Sequence, residues 1–345
     1  MINNLKDFIQ LAFDNNLNRE NTSQAFNIIM SGESTDAQIS AFLIALQKNG
    51  VNEDHVLGAL DVMQDKMIKV NIPSNSIDTC GTGGDGIGSL NVSTATAFVV
   101  AAANIPIAKH GNKALTSKCG SADVLQALNI ELISDPIDLE RCIDEIGICF
   151  MFAPNHHPAM QYVGKVRQEI GIRTIFNMLG PLLNPGNVQS QIVGVYSEEV
   201  QNIYGNVLKK MNRNKSIIVS GGNGMDEINI NGENKILVPG QEMYNFNASS
   251  IGINNQDEKE LDGGDATYNA NRIKEIFSGK IDAFYEIVLL NSAFALSLND
   301  LDKLDNNVVK NNYLIAKEII DSGKAMAKLK PVSYTHLTLP TTKQV

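Results

Sequence analysis

The sequence predicts an α/β fold: a small N-terminal helical domain, then a large α/β domain with a mostly parallel central sheet flanked by helices. Three observations predict it. Over residues 1–70 the apolar residues recur only at helical spacing. From residue 76 onward short apolar runs alternate with helical stretches, the pattern of strands joined by crossover helices. Between the two, "DTCGTGGDGIGSLNVSTATA" at 78–97 runs from a glycine cluster into a buried helix. A chain of 345 residues suffices for one large and one small domain.

The elements follow in order. Leu5, Phe8, Ile9 and Ala12 mark the first helix. Asn21 or Thr22 caps a second, carrying Ala25, Ile28 and Ile29. Ser34 or Thr35, ahead of Asp36 and Gln38, opens a third with Ile39, Phe42, Leu43 and Leu46, and Gly50 closes it. A fourth runs from about Asp54 to Lys69, and "NIPSNS" is a linker. Strands are expected at "IPIA" (105–108), "ICFMFA" (148–153), "QIVGVY" (191–196) and "SIIVSG" (216–221). Helices are expected at 120–129, 137–145 and 198–211. Segments 226–230 and 234–239, joined by Asn231-Gly232-Glu233, read as a hairpin. Residues 269–298 and 306–329 return to helix. The expected domains are therefore 1–72, joined by part of 165–187, and 73–330. The last stretch, "PVSYTHLTLPTTKQV" at 331–345, has no acidic residue and no helical period; it reads as a non-native or disordered tail.

Composition narrows the function. Hydrophobic content is 43% and charged content 19%, as in a folded globular chain. A net charge of −10 argues against nucleic acid as the main partner. Cys80, Cys119, Cys142 and Cys149 show no metal spacing and fit reduced thiols in the cytoplasm. "MINNLKDFIQ" does not resemble a signal peptide, and no apolar run reaches the roughly 18 residues of a membrane helix.

The glycine cluster poses the chemical question. Five glycines lie between Gly81 and Gly88, and Asn91-Val92-Ser93-Thr94 reads as the cap of the helix that follows. Bare N–H groups ahead of a helix N-terminus are an anion site. Gly81-x-Gly83-x-x-Gly86 matches a dinucleotide fingerprint, but "VVAAANIPI" at 99–107 lacks the acid that holds a ribose. Gly86-Ile87-Gly88 is not the end of a Walker loop. A glycine-rich turn with no ligand is the bland alternative. A second cluster weighs against it: "KHGNKALTSKCGSAD" follows a predicted strand and supplies Lys109, His110, Lys113, Lys118, the Asn112 amide, and hydroxyls at Thr116, Ser117 and Ser121. That is a polyanion cradle beyond a strand's carboxyl end.

Asp226-Glu227 is either a solvated acidic turn or, beside two phosphate loops, a Mg2+ position. Arg167 and Arg173 each suit a carboxylate or phosphate, or a surface ion pair; on a continuing helix they lie nearly opposite. "HHP" at 156–158 lacks a spaced third ligand and reads as loop or pocket-wall histidines. No nucleophile or general-base arrangement is evident.

"GTGGD", "NVST", "KHGN", "GSADVL", "RTIFNMLGPLLNP" and the acid pair, in this order, resemble the anthranilate phosphoribosyltransferase family of tryptophan biosynthesis over about residues 1–330. The resemblance implies transfer of the phosphoribosyl group of phosphoribosyl pyrophosphate to anthranilate, with Mg2+ and release of pyrophosphate. It also implies a homodimer through the helical domain. By resemblance, Gly81, Gly84, Asp85, Ser89, Asn91, Val92, Ser93 and Thr94 form the pyrophosphate-side loop. Lys109, His110, Gly111, Asn112, Lys113, Ala114, Leu115, Thr116, Ser117 and Ser121 form the second phosphoribosyl loop. Gly81, Asn112 and Arg167 contact anthranilate, and Ser93, Asp226 and Glu227 take the metal. No general base is assigned. Ser89-Leu90 stands where Thr-Phe is expected, and Asn129 where glycine is common. Two rivals share the architecture: a pyrimidine nucleoside phosphorylase-like enzyme and a non-catalytic nucleic-acid-binding relative.

Overall fold

The computed structural model describes residues 4–83, 88–114, 118–213 and 215–338. Gly84, Asp85, Leu115, Thr116 and Ser117 lie outside the described residues. Four helices come first: α1 (Leu5–Phe13), α2 (Arg19–Met30), α3 (Asp36–Asn49) and α4 (Glu53–Asp65). Thr35 and Gln38 form a reciprocal capping box on α3, and Gly50 closes it. The second helix starts earlier than Asn21: Asn18 is its cap, its Oδ1 accepting from Asn21 N.

The second domain follows as β1 (Ile77–Gly81), α5 (Val92–Ala102), β2 (Ile107–Gly111), α6 (Ser121–Ala127), α7 (Pro136–Ile146), β3 (Ile148–Phe152), α8 (Ala153–His156), α9 (Gln161–Ile170), α10 (Phe176–Leu179), β4 (Ser190–Gly194), α11 (Glu198–Lys210) and β5 (Lys215–Ser220). Then come β6 (Asn234–Leu237), β7 (Tyr244–Phe246), α12 (Ala266–Phe277), α13 (Ala283–Leu296), α14 (Asn306–Asp321) and α15 (Lys324–Thr338). The sheet order is β3-β2-β1-β4-β5-β6-β7. The first five strands of that order are parallel, and β6 and β7 add antiparallel pairs at one edge.

Successive residues of the central strands feed opposite layers, as the two-residue period of a strand requires. Ile192 and Ile217 join the core beneath α5, α13 and α14, while Val193 and Ile218 join a second core that includes α1–α4. Val166, Phe176, Leu179 and Leu183 belong to that second core too, so the 159–183 segment packs with the helical domain.

Three expectations change. Residues 226–230 are not a strand; β6 pairs instead with β5 and β7. Side-chain amides hold 226–230 where a ladder was expected: Asn291 accepts from Ile228 N at 3.0 Å and donates to Ile228 O at 3.0 Å, and Asn229 N donates to Asn234 Oδ1 at 2.7 Å. The long C-terminal helical stretches split, at Gly279 (φ 101°) with the Asp282 cap, and at Gly323 (φ 76°). Finally, α15 continues through Pro331 to Thr338, past the expected end of the fold at 330. Val332 is buried in the core, and that packing outweighs the helix bond a proline removes. Residues 339–345 lie outside the described residues.

Candidate active site

The carboxyl ends of β1, β2 and β3 open into a cleft of about 630 Å³, closed on its far side by α9, α10 and the 180–183 turn. In a parallel sheet this is the end where loops diverge and ligands bind. Gly81, Ser89, Asn91 and Ser93 line it from the first loop, and Lys109 to Ala114 with Ser121 from the second. Arg167, Asp226 and Glu227 line it as well. Val92 and Thr94 do not: both side chains are buried, and Val92 N already donates to Leu90 O at 2.8 Å. Lys118 is exposed and is not on the cleft wall.

Asn91 occupies the N-cap position of α5, yet its side chain makes no capping bond. The first turn takes its acceptors from elsewhere. Ser93 N donates to Glu227 Oε1 at 3.3 Å, and Gly83 N donates to Asp226 Oδ2 at 2.7 Å. Both acids are thus held against the glycine loop by main-chain donors. Gly81 permits the approach, since a Cβ there would sit 2.5 Å from Asp226 Oδ2.

Lys109 is buried between the two loops, its Nζ donating to Thr79 O and lying 3.4 Å from Ser93 Oγ. His110 Nδ1 lies 3.1 Å from Gly180 O, and its Nε2 3.3 Å from His157 Nε2. Burial, then the neighbouring His157, lowers the His110 pKa to about 3; burial, then His156, lowers that of His157 to about 4. Both rings are neutral at pH 7. His110 therefore donates from Nδ1 to Gly180 O and accepts at Nε2 from His157. Ser121, at the start of α6, is 3.4 Å from Asn112 O.

Arg167 sits on α9 with its guanidinium 5.3 Å from the Phe176 ring centre. Burial lowers its pKa, and no neighbouring charge opposes that shift. The surface ion pairs nearby belong to Lys165, with Asp36 and Glu169. The continuing helix expected through Arg173 is absent: α9 ends at Gly171 in the left-handed conformation, because the glycine cap turns the chain. Arg173 instead stacks 4.1 Å from the Tyr196 ring centre.

Among the described residues no cluster of three His, Cys, Asp or Glu side chains forms a metal cage. Mg2+ does not need one: it binds through one or two carboxylates plus water and substrate phosphate. Asp226, Glu227 and the Ser93 hydroxyl, facing an N–H-rich loop, fit that arrangement. His156 and His157 contribute no metal set; His156 Nδ1 faces Ile68 O at 3.0 Å and His157 lines the cleft. All four cysteines are reduced thiols, and burial raises Cys119 to about 11 and Cys142 to about 12.

Sequence reading missed the residues behind these loops. Asp78, buried in β1, accepts from Asn184 Nδ2 at 2.7 Å and from His110 N at 3.2 Å. Burial raises its pKa against the opposing charge of Lys109. Asn184 also donates to Ala108 O at 2.8 Å, tying the 184–186 turn to the strand that carries Lys109. A lone Asp in an apolar strand and an Asn-Pro-Gly turn were the available signals. Asn291, inside the almost wholly buried α13, was another.

Fold and cleft together describe a two-domain transferase of phosphorylated sugars. The family models agree: residues 6–67 match the glycosyl transferase family helical bundle domain, and 73–326 its a/b domain. The anthranilate phosphoribosyltransferase of Rhodopseudomonas palustris (strain BisB18) is 42% identical over 333 residues, 95% of this chain and 97% of that protein. That of Xanthobacter autotrophicus is 40% identical over 324 residues, 93% of each chain. Among solved structures, the Thermus thermophilus enzyme has a TM-score of 0.88 at 29% identity, covering 96% of this chain and 100% of its own. The Saccharomyces cerevisiae enzyme in complex with PRPP and Mg has a TM-score of 0.89 at 27% identity, covering 97% and 98%. The chain belongs to the anthranilate phosphoribosyltransferase family.

Proposed function

We infer that this protein transfers the phosphoribosyl group of phosphoribosyl pyrophosphate to the amine of anthranilate, releasing pyrophosphate. The observation that carries the reading is one cleft in which two N–H-rich loops and an acid pair face a half-buried arginine. Breaking the bond from C1 to pyrophosphate builds positive charge on the ribose and negative charge on the leaving group. The first loop and the α5 N-terminus stabilise the latter, while Lys109 ties β2 to β1 and to Ser93 at the start of α5. Mg2+, held at Ser93, Asp226 and Glu227, neutralises the leaving diphosphate when bound. Arg167 and the Asn112 amide hold the anthranilate carboxylate, with Phe176 beneath the guanidinium. The aryl amine is neutral at pH 7, so positioning suffices and no general base is required.

The protein acts as a homodimer through α1–α4, in the cytoplasm. Among the described residues no helix is long and apolar enough to cross a membrane. The relatives named above are all phosphoribosyltransferases, and neither a phosphorylase nor a nucleic-acid binder is favoured by any contact in the cleft. The test is a fluorescence assay of anthranilate consumption with and without phosphoribosyl pyrophosphate and Mg2+. Consumption independent of either would overturn the reading.

A further inference from the structure

The loop that precedes α12 packs against the first phosphate loop: Gly263 N donates to Gly88 O at 2.9 Å, and Leu90 N donates to Leu261 O at 2.9 Å. Just inside α12, Asn269 is buried, and its side chain joins the loop at Gly264 to the start of α5. Gly264 N donates to Asn269 Oδ1 at 2.9 Å. Asn269 Nδ2 and Asn91 Oδ1 are 2.8 Å apart.

We propose that Asn269 is a positioning residue that fixes which end of the Asn91 amide faces the diphosphate. A backbone N–H can only donate, so Gly264 determines that Asn269 presents its oxygen there. The Asn269 NH2 is then the end that faces Asn91, as a donor. Asn91 must answer with its oxygen, and its own NH2 remains for the cleft it lines. The same bond explains why Asn91 does not cap α5: the oxygen that normally accepts from the first turn is committed elsewhere. Two consequences favour an anion. A side-chain donor faces the cleft where a carbonyl oxygen would repel phosphate, and the Asn91 oxygen does not compete for the α5 N–H groups.

The inference rests on the placement of Asn91 against the diphosphate of phosphoribosyl pyrophosphate. The test is a double-mutant cycle on the full-length protein, read by calorimetric titration of phosphoribosyl pyrophosphate with Mg2+. In Asn269→Asp one carboxylate oxygen still accepts from Gly264 N, and the other demands a donor, turning the Asn91 NH2 inward. Expected is a loss of phosphoribosyl pyrophosphate affinity of about 10- to 100-fold, with anthranilate KM and Tm near wild type. In the Asn91→Ala background the same change should cost less than about twofold. Asn269→Ala, which leaves Asn91 free to turn, should cost less than Asn269→Asp and again nothing beside Asn91→Ala; this variant stands in if the Asp variant does not fold. A full effect of Asn269→Asp without the Asn91 side chain would overturn the proposal, as would equal losses for both substrates accompanied by a fallen Tm. If Asn91→Ala alone binds normally, the placement of Asn91 is wrong. If Asn91→Ala weakens binding and Asn269→Asp does not, only the relay fails.

Discussion

Gly194 ends β4 directly beneath Asp226: a Cβ at Gly194 would overlap the main-chain carbonyl oxygen of Asp226. The acid pair thus lies across the bare end of a central strand, and its height above the sheet is set by the absence of one methyl group. Gly194→Ala must lift or displace Asp226. Overpacking of this kind costs about 1–3 kcal/mol. The expected result is a lowered Tm together with a raised Mg2+ concentration for half-maximal rate. Thermal denaturation and Mg2+ titration of the rate measure the two effects; a lowered Tm with unaltered metal dependence would mean the segment reseats without moving the carboxylates.

Asp226→Asn and Glu227→Gln remove charge and keep shape. Because main-chain donors hold these side chains, the amides can still accept, and the fold should survive. Turnover should fall and the Mg2+ requirement should rise. Unchanged metal dependence in both variants would count against the metal role.

Arg167→Ala should weaken anthranilate far more than phosphoribosyl pyrophosphate. A half-buried guanidinium whose pKa no neighbouring carboxylate raises is ready for a ligand carboxylate. Losing a charge-assisted hydrogen bond costs about 1.5–3 kcal/mol, or roughly 10- to 150-fold in binding. Arg173→Ala should leave anthranilate KM much less affected, since Arg173 is stacked on Tyr196. Separate titrations of the two substrates decide; a selective loss of phosphoribosyl pyrophosphate would place Arg167 in the phosphate site.

Acid should unfold the protein through the histidine pair. His110 and His157 have native pKa values of about 3 and about 4, below the ordinary 6.5. As pH falls, the unfolded chain takes up these protons first. The stability that accompanies the neutral pair is therefore whole above pH 6.5 and drains as pH falls toward 3. Chemical denaturation at pH 7, 6 and 5 should show a declining midpoint, and His157→Gln should flatten the decline. An equal slope in the variant would exclude the pair as its source.

Ile44 on α3 is 40% exposed and Phe13 on α1 is 49% exposed, whereas Leu43 is buried in the helical core. Leu43→Glu would therefore test folding, and Ile44→Glu tests association. The expected outcome is a shift from dimer to monomer in light scattering with helicity retained. A wild-type protein that is monomeric at micromolar concentration would refute the dimer.

By itself the sequence determined what local chemistry encodes. Period and capping mark α3 from Thr35 to Gly50, and alternating apolar runs mark a parallel sheet. Glycines and lysines at strand ends mark two loops that line the cleft, and the order of motifs marks the family. Tertiary structure alone decided what depends on partners distant in sequence. The 226–230 segment reads as a strand, but Asn291, about sixty residues away, satisfies its backbone. The tail reads as structureless, but Val332 finds an apolar core. Asn91 reads as a cap, but its oxygen is taken by Asn269, 178 residues on. A cap or a turn is fixed by atoms within a few residues. The choice between two acceptable hydrogen-bond partners is fixed only when folding brings the second one within about 3 Å.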